Sequence, residues 1–297
     1  MSKPRYHVAL FSGGKDSTAM VLRKIERGEH LDEIVCCDPT MEWPAMYRHI
    51  EKVRRVAEAA GIKFTLIRDK HDFEWWLLDY PLQKEEALTK REAAGLPFKG
   101  KGWPNSRVRW CTGELKKKLT DRYLRPLAKQ YEVIQYDGIA ADEQYRLERQ
   151  NQQEYGKRHP LVEWGWTEAD AMAYCRGKGY DWEGLYDIFS RVSCWCCPLQ
   201  PLDELRKLRQ HFPGMWTRLQ SIDGKVRAQF PHSSLGEFKA GQSIENLDRR
   251  FALEDALTEA GYSIKNKAFF ADLKRLLADE ATVEAIIQER TAQYVCL

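Results

Sequence analysis

Ser12-Gly13-Gly14-Lys15-Asp16-Ser17 puts two hydroxyls, an ammonium and a carboxylate around a pair of glycines. That set suits a phosphate chain. Adjacent glycines let the backbone turn tightly with its N–H groups aimed at an anion, and a helix starting there adds partial positive charge. A second group is made of soft donors: Cys194, Cys196 and Cys197 cluster before Pro198, and Cys111 follows a basic stretch. Thiols in that arrangement suit an iron–sulfur cluster or zinc. The other cysteines are scattered, with Cys36 and Cys37 in an apolar run, Cys175 on a helical stretch and Cys296 penultimate. Eight cysteines in 297 residues, with no secretory pattern, argue for metal or redox roles over a disulfide framework.

Both groups need elements to hold them. His7–Phe11 reads as a buried strand and Ser17–Ile25 as a helix, so the glycines sit at a strand-to-helix switch. Further strands are expected at 33–37, 63–67 and 132–137, with a helix from Trp43 to Ala60 that has Pro44 in its first turn and Gly61 at its stop. This alternation predicts an α/β fold, a doubly wound, mostly parallel sheet with helices on both faces. Residues 68–110 interrupt it, and Phe98–Pro104 reads as a mobile loop. After Arg149 a Trp- and Tyr-rich region leads to the cysteine cluster. From Pro201 the pattern is helical, with Leu202, Leu205, Leu208 and Phe212 on one face and further helices at 246–260 and 267–290. The expected organisation is a nucleotide-binding domain over 1–150, a cysteine-bearing segment over 151–200 completing the active site, and a helical region over 201–297 for packing or assembly.

A net charge of +3 excludes a bulk polycation, and no apolar run is long enough to span a bilayer. With no signal-peptide pattern at the start, a cytoplasmic protein is expected. The densest basic interval, Lys99 to Arg125 with Trp103 and Trp110 interleaved, suits a nucleic-acid substrate or a solvated helix whose buried side is Leu115, Leu119 and Leu124.

The glycine turn lacks the Walker spacing. It resembles instead the PP-loop of ATP pyrophosphatases, whose Ser-Gly-Gly-x-Asp-Ser turn binds the β,γ-pyrophosphate while the α-phosphate is attacked. Three further segments are similar to the phosphoadenosine phosphosulfate reductase branch of that superfamily, which includes adenylylsulfate reductases and the ATPase of DNA phosphorothioation. Asp38-Pro39-Thr40-Met41-Glu42-Trp43-Pro44 keeps that branch's two acids and proline, and Arg109-Trp110-Cys111-Thr112-Gly113-Glu114-Leu115-Lys116 matches its Arg-x-Cys-Thr-x-x-Leu-Lys. Phe189-Ser190-Arg191-Val192-Ser193-Cys194-Trp195-Cys196-Cys197-Pro198 is similar to its Phe-Ser-Arg-x-Gly-Cys-x-x-Cys-Pro. Gly138-Ile139-Ala140 departs from the branch's Gly-Ile-Arg, and the reductases' C-terminal Glu-Cys-Gly-Leu-His is replaced by Tyr294-Val295-Cys296-Leu297.

The resemblance implies an adenine nucleotide alpha hydrolase-like fold and assigns ATP to Ser12, Gly13, Gly14, Lys15, Asp16, Ser17, Asp38, Glu42 and Gly138. Lys15, Asp16, Asp142 and Glu143 become candidate catalytic residues, the carboxylates holding Mg²⁺. Arg109, Lys116 and Arg146 are candidates for anion contacts. Cys111, Cys194 and Cys197 are the implied ligands of a [4Fe-4S] cluster, with either Cys196 or Cys175 as fourth ligand or one iron left open for sulfide; zinc with His159 or His211 is the alternative. The function implied is an adenylylating sulfurtransferase, fed by a sulfur-donor protein such as a cysteine desulfurase. The alternatives are an adenylylsulfate or phosphoadenylylsulfate reductase and a non-catalytic nucleotide-binding subunit.

Overall fold

The computed structural model describes residues 3–147 and 156–259, so the helix expected over 267–290 and Cys296 lie outside the described residues. Five strands, β1 (Arg5–Phe11), β2 (Glu33–Asp38), β3 (Lys63–Arg68), β4 (Glu132–Tyr136) and β5 (Gly156–Arg158), make one sheet of order β3-β2-β1-β4-β5. Every pairing is parallel. The four expected strands are present within a residue or two. β5 carries no apolar pattern: Gly-Lys-Arg joins the edge through backbone pairing of Gly156 with Ile134.

Helices α1 (Lys15–Glu26) and α2 (Pro44–Ala59) follow β1 and β2. Between β3 and β4 lie α3 (Phe73–Leu78), α4 (Glu85–Ala93), α5 (Trp110–Thr112), a π-helical turn over Gly113–Lys117, and α6 (Lys118–Gln130). The central strands are apolar on both faces because both are covered. Val8, Val35 and Val133 pack with Leu124 of α6 on one side, while Ala9, Phe11, Ile34 and Cys36 join the larger core on the other. Leu115, Leu119 and Leu124 are buried, as their spacing predicts.

The expected loop at 98–104 is instead closely packed. Trp103 is 2% exposed, and its indole donates to Asp223 Oδ1 at 2.9 Å. Gly100 and Gly102 take φ of +75° and +66°, and a Cβ on Gly102 would stand 2.5 Å from the Leu235 carbonyl. The glycines therefore serve a close approach between chain segments, not mobility.

Beyond β5 come α7 (Pro160–Glu163), α8 (Glu168–Gly177), α9 (Leu185–Ile188), α10 (Leu202–His211), α11 (Pro213–Gln229) and α12 (Ile244–Glu259). Leu205 and Leu208 are fully buried, and the apolar side chains of α10–α12 belong to the same core as the sheet. No described helix is long and apolar enough to cross a membrane.

Candidate functional site

The strand order reverses between β1 and β4, and in an open parallel sheet the crevice at such a reversal, outside the carboxyl ends of the strands, is where ligands bind. The glycine turn leaves β1 and Gly138 follows β4, so the two segments flank this crevice. They touch. A Cβ on Gly138 would lie 2.7 Å from Ser17 N and 2.8 Å from its Cα, so only glycine lets these backbones meet.

The turn is held from within and from below. Gly13 has φ +79°, Gly14 is the extended N-cap, and α1 begins at Lys15 with its first amides free of intrahelical partners. Ser12 N donates to Ser17 Oγ at 3.2 Å, and Ser17 Oγ donates to the Gly14 carbonyl at 3.0 Å. Trp182 Nε1 donates to the Gly13 carbonyl at 2.7 Å, and Lys15 N donates to Tyr186 Oη at 3.1 Å. Thr18 Oγ1 and His49 Nε2 are 2.9 Å apart, with His49 stacked on Trp182. Trp182, Tyr186 and His49 escape the sequence reading because their contacts join positions far apart in the chain.

Burial holds His49 neutral, with its pKa lowered to about 4. A histidine depressed in the fold binds its proton more readily when unfolded, so stability rises with pH between about 4 and 6.5 and is lost as pH falls through that window. His49→Gln, which can still meet Thr18, is expected to flatten the stability–pH curve there by up to about 3 kcal/mol, checked by urea unfolding at each pH. Parallel curves for the two proteins would refute the assignment.

Lys15 Nζ donates to Asp16 at 2.9 and 3.0 Å and to Glu168 Oε2 at 2.6 Å, with 12% of the side chain exposed. Burial works to lower its pKa, but the hydrogen bonds from Glu168 and Asp16 outweigh it and raise it. The Asp16 carboxyl is raised, chiefly by burial, with Glu168 and Glu143 adding repulsion against the pull of Lys15. Asp142 accepts from Glu168 N at 3.1 Å, and Glu143 pairs with Arg146 at 2.5 Å. The expected acids thus do gather near Asp16, joined by Glu168, which no motif marks. If a phosphate binds at this turn, Glu168 is its competitor for Lys15. Glu168→Gln is accordingly expected to lower the dissociation constant for ATP about three- to tenfold, measured by calorimetry; weaker binding would show that the carboxylate helps the ligand.

Asp38, at the end of β2, is 2% exposed and already saturated. It accepts from Thr40 N at 2.6 Å, Tyr47 Oη at 2.8 Å and Arg68 Nε at 2.8 Å. Its visible work is to shape the 38–43 loop, where Thr40 has φ +66°. That loop carries Glu42 to the cysteines. Cys194 Sγ donates to Glu42 Oε1 at 3.4 Å, Lys116 Nζ lies 3.8 Å from the same oxygen, and Trp195 N donates to the Met41 carbonyl at 3.2 Å. Burial pushes the Glu42 carboxyl up, with Lys116 pulling the other way.

Cys111 and Lys116 belong to α5 and the π-helical turn, an irregularity of the kind common at functional sites. Burial would lower the Lys116 pKa, yet Cys194, Glu42, Cys37 and Cys111 around it raise it. Burial drives the Cys194 and Cys196 thiols well above the ordinary range; Glu42 adds to the rise at Cys194, and Cys197 and Cys111 to that at Cys196. The Cys111 thiol is likewise raised by burial and then by Cys197. Cys111, Cys194, Cys196 and Cys197 are free thiols, and as a set of soft donors their chemistry fits a soft metal or an iron–sulfur cluster. Among the described residues no three Cys, His, Asp or Glu side chains already converge on one ion-sized point.

Cys175 does not join this group. It is buried on α8, its thiol donating to the Lys15 carbonyl at 3.5 Å, and its neighbours are Asp16 and Lys15. Of the two expected fourth ligands, only Cys196 stands with the other thiols. His159 pairs with Asp137, while His211 is exposed at the end of α10. Arg109 is exposed beside Cys111, and Lys99 and Lys118 of the basic interval pair with Asp79 and Glu114. Ala140, where the resembled branch carries arginine, is fully buried.

No family model matches the chain. An uncharacterized protein of Methanocaldococcus jannaschii is 23% identical over 236 residues, which cover 76% of this chain and 42% of that protein. The chain thus spans less than half the length of that relative. Among solved structures, the U34-tRNA thiolase NcsA from Methanococcus maripaludis with its [4Fe-4S] cluster aligns at a TM-score of 0.39 and 13% identity, covering 78% of this chain and 75% of that one.

Proposed function

We propose that the chain is an ATP pyrophosphatase of the PP-loop type that adenylylates an acceptor and passes sulfur to it. The observation that carries this reading is the Ser12–Ser17 turn, locked against Gly138 at the sheet's crevice, with the first amides of α1 free of intrahelical partners. A turn of this kind holds the β- and γ-phosphates as a leaving group. Lys15, released from Glu168, supplies positive charge to it, and Asp16 with Glu143 provides the oxygen ligands that Mg²⁺ prefers.

In the chemistry proposed, an acceptor oxygen attacks the α-phosphorus, the bond to the β-phosphate bridging oxygen breaks, and pyrophosphate leaves. Sulfide then displaces AMP from the activated acceptor. Cys111, Cys194, Cys196 and Cys197 would hold the metal centre, which would take up sulfur where one of the four thiols gives way. Glu42 and Lys116 orient that centre's surroundings from the β2 side. The exposed Arg107 and Arg109 beside Cys111 suit an anionic acceptor such as nucleic acid.

The deciding experiment is product analysis with ATP labelled at each phosphate, in the presence of total RNA or DNA. AMP with pyrophosphate is expected. Orthophosphate with ADP, or sulfite release from a sulfonucleotide in the absence of ATP, would sink the proposal.

A further inference from the structure

The helical region after residue 201 carries no chemical motif, but it delivers a half-buried lysine to the cysteine turn. Lys239 Nζ donates to the Pro198 carbonyl at 2.6 Å and to the Gln200 carbonyl at 2.6 Å. These carbonyls belong to the segment that leaves Cys197. Burial lowers the pKa of Lys239, with Cys197 pulling the other way.

The lysine is itself fixed. Phe238 beside it is 1% exposed and meets Trp103 edge to face at 4.9 Å. Lys239 N donates to the Gln242 carbonyl and Gln242 N to the Lys239 carbonyl, at 3.1 and 2.9 Å, closing a tight turn. The cysteine turn is held from its other sides by Trp43 Nε1 on the Ser193 carbonyl at 2.8 Å and by Gln200 Nε2 on the Cys194 carbonyl at 2.9 Å. Lys239 is thus a cation rigidly mounted on the turn's exit, with two of its three donors committed.

We propose that Lys239 is a positioning residue of the thiol centre: it clamps the chain leaving Cys197 through the Pro198 and Gln200 carbonyls, so that the turn keeps its ligand-holding shape. The clamp stands on the hydrogen bonds alone; its consequence for ligand holding rests on the metal-binding reading of the thiols. A lysine clamped between backbone carbonyls differs from a solvated surface lysine because its removal leaves two carbonyls without their donor.

The test uses the full chain, reduced and metal-free, as wild type, Lys239→Met, Lys239→Gln and Lys239→Arg. Amide hydrogen exchange is followed over residues 194–200, and Zn²⁺ alone is titrated as the probe. The Met variant is expected to exchange at least tenfold faster over that segment while the sheet is unchanged. Its affinity for Zn²⁺ should fall about tenfold, as for other supporting partners of metal ligands. Arg should restore both properties, and Gln should keep partial protection with the weaker affinity. Exchange and affinity both equal to wild type in the Met variant would overturn the proposal. If the wild type binds no Zn²⁺ while exchange still rises in the variant, the clamp stands and the metal reading fails. Should the Met variant not fold, the Gln variant decides: exchange and affinity both equal to wild type would overturn the proposal.

Discussion

Lys15→Met is expected to keep the fold and to cut pyrophosphate release from ATP by at least about a hundredfold, the scale seen when one preorganised donor to a developing charge is removed. Lys15 is the cation shared by Asp16 and Glu168, whose side chains are 22% and 42% exposed. Losing it therefore leaves carboxylates that solvent can still stabilise, and the thermal midpoint should fall by only a few degrees. Arg146, the other expected anion contact near these acids, is tied to Glu143. The assay is turnover with product identification, paired with a melting curve. A normal rate with a large drop in midpoint would mean that Lys15 serves the acidic cluster only as a counter-ion.

The frame of the site was legible in the chain because it is local. β1, the turn and α1 occupy consecutive residues, and an apolar run, adjacent glycines and a helical period each leave a mark within one window. The same is true of Pro44 at the start of α2 and of the Leu115–Leu119–Leu124 face. What could not be read is the set of groups that reach the turn across long separations. Glu168 and Tyr186 touch Lys15 from more than 150 residues away, and Trp182 looks in sequence like any core tryptophan. Phe98–Pro104 misled for a physical reason. Glycine marks both a loose loop and a close backbone approach, and only the packing of Trp103 against Asp223 and Phe238 separates the two. Asp38 shows the reverse case, a motif acid in the expected place whose oxygens are already spent on Arg68, Tyr47 and its own loop.

Cys175 and Cys196 look alike on composition, and the fold puts them in different chemistry. Cys197→Ser and Cys196→Ser should each lower the metal bound after anaerobic reconstitution by at least about tenfold, since a hydroxyl is a poor soft-metal ligand. Cys175→Ser should leave the metal content unchanged. Its thiol lies behind the phosphate turn on the Lys15 carbonyl, so any effect should fall on ATP affinity, and it should be small because a serine hydroxyl can make the same hydrogen bond. Iron, acid-labile sulfide and zinc measured on the same samples would identify the centre as well as its ligands. Full metal in Cys197→Ser, or its loss in Cys175→Ser, would mean that the thiols near Glu42 and Lys116 are packing groups. The two halves of the site would then have to be joined by something other than sulfur chemistry. The contrast is sharp because burial raises the thiols on both sides, so a difference in metal binding reports on geometry and not on general thiol reactivity.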